Sequence, residues 1–226
     1  IGQIYFAQND YSKALDYFKK SLKLDLSFFG ENHPSVASGY YNIGYVYFAQ
    51  GDYSKALEYF EEVLKIRLSV YGENHSRVAS VYNDIGEIYS VQGDDFKALD
   101  YFKKSLKIVL SVYGENHSQV SSIYDHIGEV YFAQKDYSKA LYYFEESLKI
   151  RLSLFGENHP EVALSYYSIG SLYIIQGDKS KALNYYEKSL KIRLSVYGEN
   201  HPLTKEIMDL INVANSKVLQ SPETTK

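Results

Sequence analysis

Cysteine is missing from all 226 residues, which excludes disulfides, thiolate metal centres and cysteine nucleophiles. A reducing compartment is compatible with that absence. Tryptophan is missing as well. No stretch approaches ~20 consecutive apolar residues, and no basic segment at the N-terminus leads into an apolar run. Neither a membrane span nor a signal peptide is therefore expected, and the expected location is cytoplasmic. Positive charge is in deficit, with 24 Lys and Arg against 28 Asp and Glu for a net −4. That balance leaves no electrostatic footprint for nucleic acid or for an anionic membrane. The chain also has no initiator methionine and starts partway through a repeated unit, so it reads as a piece excised from a longer protein.

What is present is aromatic and periodic. There are 25 Tyr and 11 Phe, and apolar residues make up 45% of the chain. Tyrosine joins a large apolar body to a hydroxyl, which suits helix seams that reach the surface. The stretch Gly44–Ala79 returns, slightly edited, from Gly86, Gly128 and Gly170, and a truncated copy opens the chain at Gly2. Between Ile43–Asp84 and Ile127–Ser168, 30 of 42 positions are identical. A fixed period of this size is the mark of a stacked array, in which each unit packs on its neighbours.

Each unit reads as two helices. In Val36–Gln50 the apolar residues Val36, Tyr40, Ile43, Tyr47 and Phe48 recur at spacings that gather them on one helical face. Gly51-Asp52 breaks the pattern as a tight turn. The second helix, Tyr53–Tyr71, carries Tyr53, Ala56, Leu57, Phe60, Leu64 and Leu68 on its expected buried side. Lys55, Glu58, Glu61, Glu62 and Lys65 face outward, with Glu61 four residues before Lys65. Gly72 ends this helix as an expected left-handed residue, and glycine recurs at 30, 114, 156 and 198. Glu-Asn-His follows each time, then Pro or Ser, which opens the next helix. Short loops between long helices force antiparallel neighbours.

Units therefore fall at about 1–34, 35–76, 77–118, 119–160 and 161–202, in one array over 1–219. A capping helix is expected at 203–219, where Asn212 and Asn215 replace the repeated Gly and Tyr, and a disordered tail at 220–226.

Tyr40-x-x-Ile43-Gly44-x-x-Tyr47, followed by Gly51-Asp52-Tyr53, Ala56-Leu57 and Phe60, resembles the tetratricopeptide repeat signature. The unit is eight residues longer than the ordinary 34-residue repeat. With its Gly-x-x-His-Pro-x-Val-Ala connection it is similar to the repeats of kinesin light chains. The resemblance covers residues 1–202. It implies an all-α, right-handed superhelical solenoid of antiparallel helix pairs, whose concave surface is lined by first helices and binds peptides or protein segments.

The first helices differ from one another along one stripe. Its positions are Tyr41, Asn83, Asp125 and Tyr167; Asn42, Asp84, His126 and Ser168; Tyr45, Glu87, Glu129 and Ser171; and Phe48, Ser90, Phe132 and Ile174. Such a row is expected to form a peptide groove, and the alternative is a solvated face without a ligand. Two groove chemistries of the family do not carry over. A carboxylate clamp needs Lys, Asn and Arg where Tyr41, Tyr45, Asp84 and Asp125 stand. Capture of an acidic peptide would meet Asp84, Glu87, Asp125 and Glu129. The expected ligand is a basic or aromatic protein segment, since carboxylates pair with Lys or Arg and tyrosines stack on guanidinium groups.

No catalytic residue, metal or cofactor is expected. Histidines 33, 75, 117, 159 and 201 recur one helix-pair step apart, at least ~8–10 Å, too far to share a metal coordinated at ~2 Å. Each is expected to satisfy a free N–H where a helix begins. His126 follows Asp125, but adjacent residues on a helix diverge, and no third group converges on them. The pairs Glu61-Glu62 and Glu145-Glu146 are solvated charges. Gly39-x-x-x-x-Gly44 lacks the Lys-Ser/Thr of a phosphate loop; the repeated Gly44, Gly86, Gly128 and Gly170 permit close helix approach. Asn74-His75-Ser76 and Asn116-His117-Ser118 match the glycosylation pattern by accident of a Ser standing where other units have Pro. The second functional reading is head-to-tail self-association, because near-identical units make opposite terminal faces complementary and such a contact does not close.

Overall fold

The structure is a computed structural model that describes residues 1–216. The described residues form eleven helices and no strand: α1 Gly2–Ala7, α2 Tyr11–Phe29, α3 Pro34–Ala49, α4 Tyr53–Tyr71, α5 Ser76–Val91, α6 Asp95–Tyr113, α7 Ser118–Ala133, α8 Tyr137–Phe155, α9 Pro160–Gln176, α10 Lys179–Tyr197 and α11 Pro202–Ser216. They divide into two compact units, Ile1–Gly114 and Glu115–Lys226. Within each unit every helix packs on its successor in the chain, most extensively inside the pairs α3·α4, α5·α6, α7·α8 and α9·α10. The expected second helix at Tyr53–Tyr71 is found with those bounds, whereas the first helix begins two residues earlier, at Pro34. The part of the capping helix beyond Ser216 and the 220–226 tail lie outside the described residues.

The helix starts are fixed by side chains. Each long second helix is capped by aspartate. Asp52 accepts from the Lys55 N–H, and its carboxylate pairs with Lys55 Nζ at 2.6 Å. Those bonds to Lys55 hold the Asp52 carboxyl below its ordinary value. The first helices α3, α5, α7 and α9 are capped by the recurrent histidine instead. His33, His75 and His159 Nδ1 accept the backbone N–H two residues on, at 3.1, 3.1 and 3.2 Å. Their rings stack on Phe29, Tyr71 and Phe155 at 4.3, 4.5 and 4.3 Å. The recurrence is thus a capping device, and its aromatic lid joins each cap to the helix before it.

Gly156, which ends α8, has φ 74° and ψ 179°. The positive φ is as expected, but the extended ψ corrects the left-handed helical geometry to a region open essentially to glycine alone. The other long second helices end at glycines of the same kind.

In the first unit the core gathers Val36, Ile43, Phe60, Val63, Ile66, Ile85 and Ile88. Val63 and Ile66 correct the expected buried side of α4, because this helix is covered by α5 as well as by α3. Leu57, Leu64 and Leu68 are only half-buried. On the outer face Lys65 pairs with Glu62, at 3.7 Å, rather than with Glu61. The core of the second unit includes Phe144, Leu148, Val162, Ile169 and Leu172. Close approach through glycine is direct there: a Cβ on Gly128 would lie 2.7 Å from the Phe144 ring.

Tyrosines line the seam between paired helices. Tyr47 stacks on Tyr59 at 5.5 Å, Tyr89 on Tyr101 at 5.6 Å, Tyr131 on Tyr143 at 5.6 Å and Tyr173 on Tyr185 at 5.7 Å. The lysine of each aspartate cap covers the first ring of its pair, as Lys97 does over Tyr89 at 4.7 Å.

Candidate functional site

The stripe of first-helix residues behaves differently in the two units. In the first unit it borders a pocket of about 280 Å³. Tyr41, Asn42 and Tyr45 reach it from α3, and Asp84 and Glu87 from α5. The sequence reading missed Gln3 and Phe6 on α1 and Phe18 on α2, which supply the remaining wall. Gln3 and Phe6 hold the repeat places of Tyr45 and Phe48 in a first helix of six residues, and Phe18 holds the core place of Phe60.

The walls are aromatic. Tyr45 stacks beside Tyr41 at 6.1 Å and meets Phe6 at 5.8 Å, and it remains 42% exposed. Tyr41 also stands edge-on to Phe60 at 5.4 Å, which ties the pocket wall to the core.

The floor is acidic. The Tyr41 hydroxyl lies against the Asp84 carboxyl group, whose Oδ2 is buried with no hydrogen-bond partner. The side chain as a whole is partly exposed, but its carboxylate end lies deep. Burial raises the Asp84 carboxyl to about 7, further supported by Glu87 and opposed by Tyr41 and Arg67. Burial also raises Glu87, and raises the Tyr41 hydroxyl with Asp84 beside it. Phe48 packs between Tyr45 at 6.1 Å and Tyr53 at 5.9 Å, and Asn83 and Ser90 are half-buried.

In the second unit the same stripe is taken up by internal contacts. Asp125 pairs with Arg151 at 2.7 Å, and Arg151 also reaches Glu161 at 2.9 Å and the Ser165 hydroxyl at 2.7 Å. Even with this partner, burial dominates and raises the Asp125 carboxyl to about 6. His126 is held below its ordinary value by burial first and by Arg151 second. Tyr167 donates to Glu206 at 3.1 Å, Ser171 bonds Tyr186 at 3.2 Å, and Phe132 packs on Tyr137 at 5.8 Å. Glu129 and Ile174 are exposed, and Ser168 is half-buried.

The arginines were overlooked as a group. Arg67, Arg151 and Arg193 hold the same place on α4, α8 and α10, and each joins its own first helix to the one that follows. Arg67 covers Tyr41 at 5.3 Å and donates to the Arg77 carbonyl and the Ser80 hydroxyl. Arg193 covers Tyr167 at 5.0 Å and donates to the Leu203 carbonyl at 2.6 Å. Their signal in the sequence is a charge set between two buried-face residues, as in Ile66-Arg67-Leu68.

Comparison with known proteins follows the same lines. The family model described as tetratricopeptide repeat matches residues 1–69, 35–109, 77–153 and 119–195. Among solved structures, BtubC (BKLC) from P. vanneervenii is similar at 24% identity and TM-score 0.77, over 89% of this chain and 80% of that one. A Podosopora anserina kinesin light chain-type protein of nearly identical TPR-like repeats is similar at 16% identity and TM-score 0.72, over 87% and 93%. MamA is similar at 20% identity and TM-score 0.58, over 86% and 95%. These likenesses concern the solenoid fold of stacked helix pairs. No curated protein matches the sequence significantly. Among the described residues no helix is long and apolar enough to cross a membrane.

Proposed function

The chain belongs to the tetratricopeptide repeat family, generally a family of protein-interaction scaffolds, and from that premise we propose that its first unit docks a basic segment of a partner protein. The segment lies along the first helices α1, α3 and α5, without chemistry being done on it. The observation that carries this reading is the pocket in which Asp84 and Glu87 meet the rings of Phe6, Tyr41 and Tyr45. A cation entering it gains both carboxylates and the ring faces, in a site partly withdrawn from water. An acidic segment would gain neither. Keeping Asp84 buried costs stability, and costs of that kind cluster at sites where the group has work to do.

The test is a screen of basic and acidic peptide arrays against the full chain and an Asp84→Ala/Glu87→Ala variant. Basic peptides should be retained and should lose at least tenfold in affinity on the variant. Capture of acidic peptides alone, or basic hits indifferent to the two substitutions, would remove the reading.

A second reading, self-association, draws on one observation. Leu24 is 58% exposed, whereas Ile66, Ile108, Ile150 and Ile192 at its repeat position are 8% exposed or less. Ile4 on α1 and Phe28, one helical turn after Leu24 on α2, are exposed as well. A second copy covering this face would give assembly that grows with concentration. Sedimentation from micromolar to millimolar protein tests it, and monomer throughout would end it.

A further inference from the structure

The arginine joints recur at one repeat place, which holds Asp25, Arg67, Val109, Arg151 and Arg193 in turn. Where it is one of the three arginines, the guanidinium ends near the start of the following first helix. Arg67 Nη1 donates to the Arg77 carbonyl at 2.7 Å and to the Ser80 hydroxyl at 2.9 Å. Arg193 Nη1 reaches the Leu203 carbonyl, which stands at the repeat place of Arg77. Arg151 spreads its fork, with Nη1 on the Ser165 hydroxyl at 2.7 Å and Nη2 on Asp125 and Glu161 at 2.7 and 2.9 Å. Between α2 and α3 no arginine stands at this place, and a cavity of about 270 Å³ is found there. Ser35 and Ser38 line it from the repeat places of Arg77 and Ser80, so the acceptors of the Arg67 joint are present. Gly39, where other repeats carry Val81, Ile123 and Ile207, adds no side chain to the wall. Asp25 lines the cavity from α2 and brings a carboxylate where the other joints bring a cation. Asp10 and Asp16 take lysine partners, whereas Asp25 has none among the described residues. Phe18 and Asn42 border both this cavity and the pocket of Asp84 and Glu87, so the two lie side by side.

Resting on the docking reading, we infer that the cavity beside Asp25 receives an arginine side chain of the same basic segment. That arginine completes from outside the joint that α4, α8 and α10 complete with arginines of their own. The Asp25 carboxylate meets one edge of the guanidinium, and the Ser35 carbonyl and Ser38 hydroxyl take the donors that Arg67 sends to Arg77 and Ser80. The Ser38 hydroxyl donates to the Pro34 carbonyl, just as that of Ser80 donates to the Arg77 carbonyl, and both oxygens still have room to accept. The apolar stem of the arginine lies against Phe18. A lysine brings a single nitrogen to a set of acceptors that the Arg151 fork meets with two. Citrulline keeps the shape of the fork without its charge. The adjoining cavities are bordered by the carboxylates of Asp25, Asp84 and Glu87, and among the described residues no lysine or arginine lines either of them.

The experiment uses the full chain and a set of peptides in a neutral Gly/Ser/Ala background. Each carries one fixed Lys and, at graded spacings from it, an Arg, a citrulline or a second Lys. At the best spacing, calorimetry should find the Arg peptide bound about tenfold more tightly than its citrulline and Lys counterparts. Asp25→Asn should erase that margin, while Asp84→Ala/Glu87→Ala should weaken every peptide of the set. Asp25→Arg is a second probe, since it supplies the guanidinium from within. There too the margin should vanish, with the melting temperature held or raised, and circular dichroism reports that each variant is folded. Citrulline or Lys equal to Arg at every spacing, or a margin that survives Asp25→Asn or Asp25→Arg, would overturn the arginine site and leave the docking reading standing. Absence of binding by the whole set at millimolar concentration would overturn it as well, and the docking reading falls with it only if basic arrays are also not retained.

Discussion

Asp84 illustrates how one buried carboxylate couples binding to stability. Its carboxyl is raised to about 7, against ~3.9 in an unfolded chain. Between those values the native state holds a proton that the unfolded state has released. Stability therefore falls as pH rises from about 4 to 7, and the full cost is present above 7. Asp84→Asn removes the titration but keeps the shape, and Asn42 already stands at the same repeat position. The variant should be more stable by on the order of 2 kcal/mol at pH 8, a figure reduced for partial exposure, and nearly equal to the parent at pH 4.5. Urea titrations at both values check this; a gain that is the same at both would refute the sign. Lys135 gives a second case. It carries φ 62° at the turn where Gly51, Gly93 and Gly177 stand in other repeats. Lys135→Gly should raise stability by about 0.5–1 kcal/mol in denaturant melts, because a left-handed backbone burdens any residue with a Cβ.

At the scale of the helix pair, two glycines of one hairpin do unlike work. Gly128 leaves room for the Phe144 ring, which would lie 2.7 Å from an added Cβ. Gly156 has open space around it and is required by its backbone angles alone. Each Gly→Ala change should cost about 1–3 kcal/mol, the first by overpacking and the second by strain. A second substitution separates them. Phe144→Leu should recover at least 0.5 kcal/mol of the Gly128→Ala loss and add independently to that of Gly156→Ala, as read from a double-mutant cycle. The hairpins themselves were legible, since apolar spacing, Gly-Asp turns and the Gly-Glu-Asn-His corners all recur at one period. What each helix touches on its second side was less so. Periodicity marks one face of α4, and only packing against α5 explains why Val63 and Ile66 are as buried as Phe60. The pocket lay further out of reach. Tyr41, Asp84 and Glu87 stood out by differing between repeats, but whether a variable polar residue faces a ligand or an arginine depends on a neighbouring element. Asp84 and Asp125 occupy adjacent places in the repeat and meet opposite fates for that reason.

Across the whole molecule, one local corner is used over and over. Long second helices end at Gly30, Gly72, Gly156 and Gly198 with φ between 74° and 80° and extended ψ, and a histidine-capped helix follows. Removing residues 157–198 would join Gly156 to Glu199-Asn200-His201 and recreate the same corner. Arg151 would then find the Leu203 carbonyl that Arg193 now holds. The shortened protein should keep a helical spectrum and a cooperative melt at lower stability, since one nearest-neighbour interface is lost; a spectrum of random coil would contradict this. The inheritance of such a chain is affected too. Wherever its gene slips or recombines by a whole copy, the reading frame survives and the product still folds, so copy number is the trait that drift can change most freely.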